Sequence, residues 1–153
     1  MRDIHRITYA SDFSPASLVA LPHALRLAKI TGADLTIVNV LPSPKALFIE
    51  GGYVPQEIWD QTRAEAAKEM DRLLEQAVNA GVRATASIVD AGSALPADAI
   101  VRAAEDVKTD VLVLGTHGRT GVTRLILGSV AARVVARAPC PVLTVRAGKS
   151  EPS

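Results

Sequence analysis

The most informative part of this chain of 153 residues is the stretch Val111-Leu-Val-Leu-Gly-Thr-His-Gly-Arg-Thr-Gly-Val-Thr-Arg-Leu-Ile-Leu-Gly-Ser-Val130. It begins with a short apolar run that is typical of a buried strand. It then passes through a loop with glycine at positions 115, 118 and 128 and enters an amphipathic run that continues to Ala138. A buried strand, a loop with glycines at fixed places and a helix that begins with serine form an arrangement suited to binding phosphate.

The backbone is the expected binding group in this arrangement. Glycine lets the main chain approach an anion without a side chain in the way, so a bulky residue at Gly115 or Gly118 would put a Cβ atom where the phosphate must lie. The helix start after Gly128 offers unpaired N–H groups and the positive end of the helix dipole. The Ser129 hydroxyl can donate to a phosphate oxygen, and a proline at Val130 would remove a donor. The sequence therefore predicts a nucleotide-binding chain, although each glycine taken singly is better explained as a turn.

Strand and helix patterns alternate from end to end. The apolar runs that predict strands are residues 4–10, 34–41, 82–90, 111–114 and 142–145. The amphipathic runs that predict helices extend from Pro15 to the stop at Gly32 and over residues 56–80, 93–105 and 129–138. Five strands separated by helices predict an α/β three-layer sandwich, with a five-stranded parallel sheet and helices on both faces. We expect one domain over residues 1–147, a flexible tail over 148–153 and a surface loop over 42–55.

Ligands of such sheets bind at the carboxyl ends of the strands, where the strand order reverses. The glycine loop leaves the fourth strand at this edge, and Ser11-Asp12 leaves the first, so two independent signals converge. A bare carboxylate would repel phosphates, so the expected partner of Asp12 is a ribose hydroxyl, Mg²⁺ or Mn²⁺. Asp12 is explained equally well as the cap of the first helix.

Composition excludes several classes of partner. The net charge is +1, and basic residues are interleaved with acidic ones, which argues against a nucleic-acid ligand. No apolar run approaches the roughly 20 residues that span a bilayer, and the first residues lack the apolar core of a signal peptide. We therefore expect a cytoplasmic protein that does not associate with membranes.

The chain resembles the universal stress protein family over nearly its whole length, and four segments carry the resemblance. They are Ile7-Thr-Tyr-Ala-Ser-Asp-Phe-Ser14, Gly115-Thr-His-Gly-Arg-Thr-Gly121, Leu127-Gly-Ser-Val-Ala131 and Pro139-Cys-Pro-Val-Leu-Thr-Val-Arg146. Within that family, glycine, two residues, glycine, nine residues and then glycine followed by serine or threonine mark the ATP-binding branch. The resemblance therefore implies an ATP-binding protein of the stress response with a Rossmann-like fold, similar to that of the adenine nucleotide α-hydrolases.

The resemblance also implies roles for individual residues. Gly115 and Gly118 line the ribose and phosphates, while Gly128, Ser129 and Val130 bind the β- and γ-phosphates. Asp12 lies near the ribose and any divalent ion, and Ser11 belongs to the same nucleotide-binding set. The backbone of Val40, at the end of the second strand, contacts the adenine edge.

The sequence predicts binding without efficient hydrolysis. No lysine occurs between Val111 and Gly148, so the cation that P-loop enzymes aim at a transferring phosphate is missing. Slow turnover by a metal-bound water stays open. An enzyme of the α-hydrolase type is disfavoured because its Ser-Gly-Gly-x-Asp-Ser-like loop is replaced here by Ser11-Asp-Phe-Ser14.

A second alternative is a nucleotide-independent dimeric interaction module whose glycine loop has only a structural role.

The apolar strand Val142-Leu-Thr-Val145 would leave an exposed edge in a monomer. Family members pair this strand across a twofold axis, so the resemblance implies a homodimer through residues 142–146.

Overall fold

The structure, a computed structural model, describes residues 2–41, 54–117 and 127–148. The strands are β1 (Arg6–Ala10), β2 (Asp34–Leu41), β3 (Ala84–Asp90), β4 (Val111–Gly115) and β5 (Val142–Val145). The helices are α1 (Pro15–Leu18), α2 (Leu21–Thr31), α3 (Gln56–Asn79), α4 (Pro96–Asp106) and α5 (Ser129–Arg137). No helix in these described ranges is both long and apolar enough to cross a bilayer.

The five strands form one parallel sheet in the order β3-β2-β1-β4-β5. Successive side chains of a strand point to opposite faces, so the described residues form a core on each face of the sheet. Ile7 and Tyr9 of β1 pack with α2 and α3 on one face, whereas Ala10 and Leu114 pack with α4 and α5 on the other. The predicted α/β sandwich with helices on both faces is therefore confirmed.

The first predicted helix is two helices, which corrects the sequence interpretation. The α1 helix ends at Leu18 and α2 begins at Leu21, with Pro22 in its first turn. A continuous helix would require Pro22 to donate to the Leu18 carbonyl, which it cannot do, and its ring would crowd that carbonyl. The predicted stop at Gly32 is confirmed, with the glycine in the left-handed conformation at φ +71°.

The other elements begin or end within a few residues of their predicted bounds. The largest shift is at α4, which begins at Pro96 rather than Ser93 because proline suits the first helical position. The β3 strand lies at the sheet edge and is partly exposed, as its alternating pattern predicts. Most of the predicted loop over 42–55 lies outside the described residues.

Candidate functional site

The strand order reverses between β1 and β4. From β1 the chain builds β2 and β3 on one side, and then returns to place β4 and β5 on the other side. The carboxyl ends of β1 and β4 therefore flank the crevice where such sheets bind ligands. Ser11 and Asp12 follow β1, and Gly115 ends β4. The Ser11–Asp12 segment and the start of the glycine loop therefore lie at the carboxyl ends of neighbouring strands, as predicted.

The β1–α1 loop holds Asp12 in a tight turn. The Asp12 Oδ1 atom accepts a hydrogen bond from the Ser14 amide at 2.9 Å, and Phe13 has φ +65°. This left-handed conformation is uncommon for a bulky residue and persists only where the surroundings hold it. Ser14, not Asp12, caps α1, because its hydroxyl accepts from the Ser17 amide at 3.2 Å.

Ser11 is buried, and its hydroxyl is occupied inside the protein. It lies 2.6 Å from the Ser17 hydroxyl and accepts from the Phe13 amide at 3.1 Å. The Tyr9 hydroxyl donates to the Ser17 carbonyl at 2.8 Å, and burial raises the pKa of Tyr9 above its ordinary 10.0. In this arrangement the Ser11 side chain shapes the loop.

Gly115 is explained by packing between the end of β4 and α1. A Cβ atom at this position would lie 2.6 Å from the Ala16 carbonyl oxygen and 3.1 Å from the Ser17 Cα atom. The sequence interpretation reserved this space for phosphate, whereas the structure fills it with the backbone of α1. The glycine is thus what lets the end of β4 approach the β1–α1 segment.

The first turn of α5 begins at the other side of the crevice. Gly128 is its N-cap, the helix has no side-chain cap, and its first turn carries no acidic residue. Ser129 and Val130 are exposed, and amides of a first helical turn have no partner within the helix. The amide of Gly128 differs, because it donates to the Thr116 carbonyl at 2.7 Å. Gly118 lies outside the described residues.

Gly128 is also required by a close backbone contact. A Cβ atom there would lie 2.9 Å from the Thr116 carbonyl oxygen. A valine at 128, which the sequence alone suggests as a test of phosphate binding, would therefore disturb the fold as well as the site.

Thr116 was missed by sequence reasoning, since nothing but its place after a strand marks it. Its amide donates to the Val145 carbonyl at 3.0 Å, and its hydroxyl lies 2.9 Å from Nδ1 of His117. It therefore connects the end of β4 with β5 and α5. The Nε2 atom of His117 is buried and has no hydrogen-bond partner within the described residues.

The end of β2 completes the crevice. The pairing of β1 with β2 ends at Ala10 and Val38, so residues 39–41 of β2 extend past β1. Val40, the predicted adenine contact, is half-buried and pairs with Val89 of β3. Asn39 is buried and was also missed, although a polar residue within an apolar strand was the signal that could have found it.

No group of three metal-ligating side chains occurs within residues 2–41, 54–117 and 127–148. The donor chemistry still suits a magnesium ion, which binds through one or two carboxylates and takes its other ligands from phosphates and water. Asp12 is the carboxylate at the crevice, and one of its oxygens is engaged by the Ser14 amide. The residues present therefore fit a metal that arrives with a nucleotide.

Comparison with known proteins gives the family. The family model described as "Universal stress protein family" matches residues 3–146. The chain belongs to the universal stress protein family. It is 36% identical over 149 residues to a universal stress protein of Methanocaldococcus jannaschii, which covers 95% of this chain and 84% of that protein.

Solved structures of the family have the same fold. A universal stress protein from Burkholderia pseudomallei is 29% identical, with a TM-score of 0.78, covering 96% of this chain and 99% of that chain. A universal stress protein in complex with cAMP is 26% identical, with a TM-score of 0.67, covering 96% of this chain and 100% of that chain.

Proposed function

We propose that this universal stress protein binds ATP in the crevice between β1 and β4 and acts as a nucleotide-dependent regulatory module of the stress response in the cytoplasm. The observation that carries the proposal is the first turn of α5. Its amides open on the carboxyl edge of the sheet with no side-chain cap and no acidic residue in the turn. Backbone amides at such a helix start, together with the helix dipole, favour a phosphate group.

The other proposed contacts are those that the family resemblance implies. Ser129 and Val130 donate their amides to the β- and γ-phosphates, and the ribose lies beside Gly115 and Gly118. The backbone of Val40 contacts adenine. Asp12 would contact the ribose or would hold Mg²⁺ or Mn²⁺, whose positive charge would offset the negative charge of the phosphates. The family member in complex with cAMP supports an adenine nucleotide as the ligand.

We further propose that hydrolysis is inefficient. The residues proposed for the site are Asp12, Ser129 and backbone amides; the hydroxyl and the amides bind phosphate, and this set does not activate a nucleophile strongly. Phosphate release in steady state is expected below about 1 per second. A faster rate in purified protein would contradict this part of the proposal.

The protein is proposed to form a homodimer through β5, with residues 142–146 at the interface. The β5 strand lies at a sheet edge, where unpaired backbone groups can pair with a second strand. Exposed apolar side chains lie on both elements of this edge, Leu143 on β5 and Val135 on α5. Burying them against a second copy removes apolar surface from water.

A second candidate function is a dimeric interaction module that needs no nucleotide. It is favoured by the packing at Gly115 and Gly128, because close backbone contacts explain both glycines without a ligand. The two candidates differ in one measurable property, the affinity for ATP.

Isothermal titration of the purified protein with ATP and Mg²⁺ separates them. We expect a dissociation constant in the micromolar range, which corresponds to about −8 kcal/mol. The ultraviolet spectrum of a denatured extract should also show an adenine band if nucleotide is retained through purification. No heat at about 1 mM ATP and no adenine band would favour the interaction module.

A further inference from the structure

We infer that Asn39 is a positioning residue of the nucleotide site, because it fixes the β1–α1 loop, and Asp12 with it, against the end of β2. The inference rests on the proposed function, since it assigns a role within the same crevice. It also makes a claim about the free protein, so it can be tested separately.

The Asn39 side chain connects β2 to the β1–α1 loop just beyond the last backbone pair of β1 and β2. The last paired residues of β1 and β2 are Ala10 and Val38, and beyond them the Ser11 amide donates to the Val38 carbonyl at 2.9 Å. The Asn39 Nδ2 atom then donates to the Ser11 carbonyl, also at 2.9 Å. Both main-chain groups of Ser11 are therefore held by β2, one of them through a side chain.

The cost of burying an amide supports a specific role for Asn39. The residue is 5% exposed and lies in a strand of mostly apolar residues, where a polar side chain destabilises the fold unless it is hydrogen-bonded. An apolar residue would suit the strand better if packing were the only requirement. The bond to Ser11 is what the asparagine adds.

Ser11 transmits this constraint to Asp12. The Ser11 hydroxyl accepts from the Phe13 amide at 3.1 Å, and the Phe13 backbone is held at φ +65°. Asp12 lies between these two residues, and its carboxylate accepts from the Ser14 amide. A shift of Ser11 therefore moves the carboxylate that is proposed to contact ribose or metal.

Different strands hold the two ends of the loop. Tyr9 and Gly115 contact the Ala16–Ser17 backbone and hold the α1 end, as described above. Asn39 holds the β1 end and is the chain neighbour of Val40. One side chain thus sets the spacing between the backbone proposed to contact adenine and the carboxylate proposed to contact ribose or metal.

Two substitutions of Asn39 and one matched control test the inference. Asn39→Leu keeps the branching of the side chain and removes the donor, and Asn39→Asp keeps its size and replaces the donor with an acceptor. Thr8→Val is the control, because Thr8 is also buried in the sheet and its hydroxyl bonds that of Thr109. This control loses a buried hydrogen bond without touching Ser11.

The first measurement is amide hydrogen exchange in the protein without nucleotide. The Phe13 and Ser14 amides should exchange about tenfold faster in both Asn39 variants. In Thr8→Val they should exchange at the wild-type rate, once exchange through global unfolding is subtracted. Wild-type exchange at Phe13 and Ser14 in both Asn39 variants would overturn the inference, whatever the nucleotide affinity.

The second measurement is ATP affinity with and without Mg²⁺. In the Asn39 variants the dissociation constant should rise about tenfold, and the gain in affinity from Mg²⁺ should shrink because Asp12 is displaced. Thr8→Val should change it by less than about twofold. Unchanged affinity and an unchanged Mg²⁺ effect in the Asn39 variants would also overturn the inference. A wild-type protein that binds no ATP would instead contradict the proposed function, and the exchange experiment would still decide whether Asn39 fixes the loop.

Discussion

Gly115 has no Cβ atom, and this lets the end of β4 and the start of α1 approach each other closely at the crevice. Gly115→Ala would place a methyl group 2.6 Å from the Ala16 carbonyl oxygen, and a backbone atom cannot move aside as a flexible side chain can. We expect the substitution to lower the free energy of unfolding by about 1–3 kcal/mol, measured by denaturant unfolding.

Gly148→Ala is the control for this substitution, because nothing lies within 4 Å of a Cβ atom there. Equal stabilities of Gly115→Ala and the wild type would show that α1 does not approach β4 as closely as described.

Asp110 gives the fold a stability that depends on pH. Its carboxylate accepts hydrogen bonds from the His5 and Arg6 amides at 2.8 and 2.9 Å, and these bonds hold its pKa below the ordinary 3.8. Because the folded-state pKa is lowered, the stabilisation is present above 3.8 and is lost as the pH falls through the folded value. Asp110→Asn should therefore unfold about 2–4 °C lower than the wild type at neutral pH.

The difference between Asp110→Asn and the wild type should shrink as the pH falls from about 5 to about 2. Asp3→Asn, at an exposed aspartate near the same segment, serves as the control. A difference that stays constant over this range would contradict the role of the Asp110 carboxylate.

At the residue scale, the sequence identified most of the positions at the crevice but not the physical reason for the residue at each of them. Gly115 was expected to make room for phosphate, but a Cβ atom there would meet the Ala16 carbonyl oxygen. Gly128 was expected to donate its amide to phosphate, but that amide donates to the Thr116 carbonyl. Contacts between residues far apart in the chain leave no local pattern, which is why these reasons could not be foreseen. Asn39 is different, because a buried amide in an apolar strand was visible in the sequence.

At the scale of elements, α4 holds α5 in place. The Arg133 guanidinium of α5 donates two hydrogen bonds to the Asp98 carboxylate of α4, at 2.9 and 3.0 Å, and Arg137 lies 3.5 Å from the same carboxylate. The bonds from Arg133 hold the pKa of Asp98 below its ordinary 3.8, so the carboxylate keeps its charge to a lower pH than an unpaired aspartate does.

Removing this link should loosen α5. We expect Asp98→Ala to speed amide exchange in α5 by about two- to fivefold. Asp106→Ala, which removes an exposed aspartate at the end of α4, should leave the exchange unchanged. Equal exchange in Asp98→Ala and the wild type would mean that side-chain packing alone positions α5.

The elements themselves were largely predictable, because alternating apolar strands and amphipathic helices depend on local periodicity. The break between α1 and α2 was foreseeable from Pro22 and was overlooked. The cap of α1 was not, since both Asp12 and Ser14 can cap a helix and only the path of the loop selects Ser14.

At the scale of the whole molecule, the exposed edge at β5 predicts a dimer. Leu143→Lys should place charge at that edge and convert a dimer into a monomer, which halves the mass measured by light scattering at micromolar concentration. Ile30→Lys is the control, because Ile30 is an exposed apolar residue of α2. A wild-type monomer, or a dimer that survives Leu143→Lys, would contradict an interface at β5.

The central claim is that main-chain amides at the start of α5 bind the phosphates of ATP, and a proline tests it most directly. Val130→Pro removes one amide from the first turn, and α2 already carries Pro22 at the same second position of its helix. Val130→Ala is the control, because it shortens the side chain and keeps the amide. In isothermal titration with Mg²⁺, the account predicts about tenfold weaker ATP binding by Val130→Pro than by Val130→Ala. Equal ATP affinities of the two folded variants would contradict it.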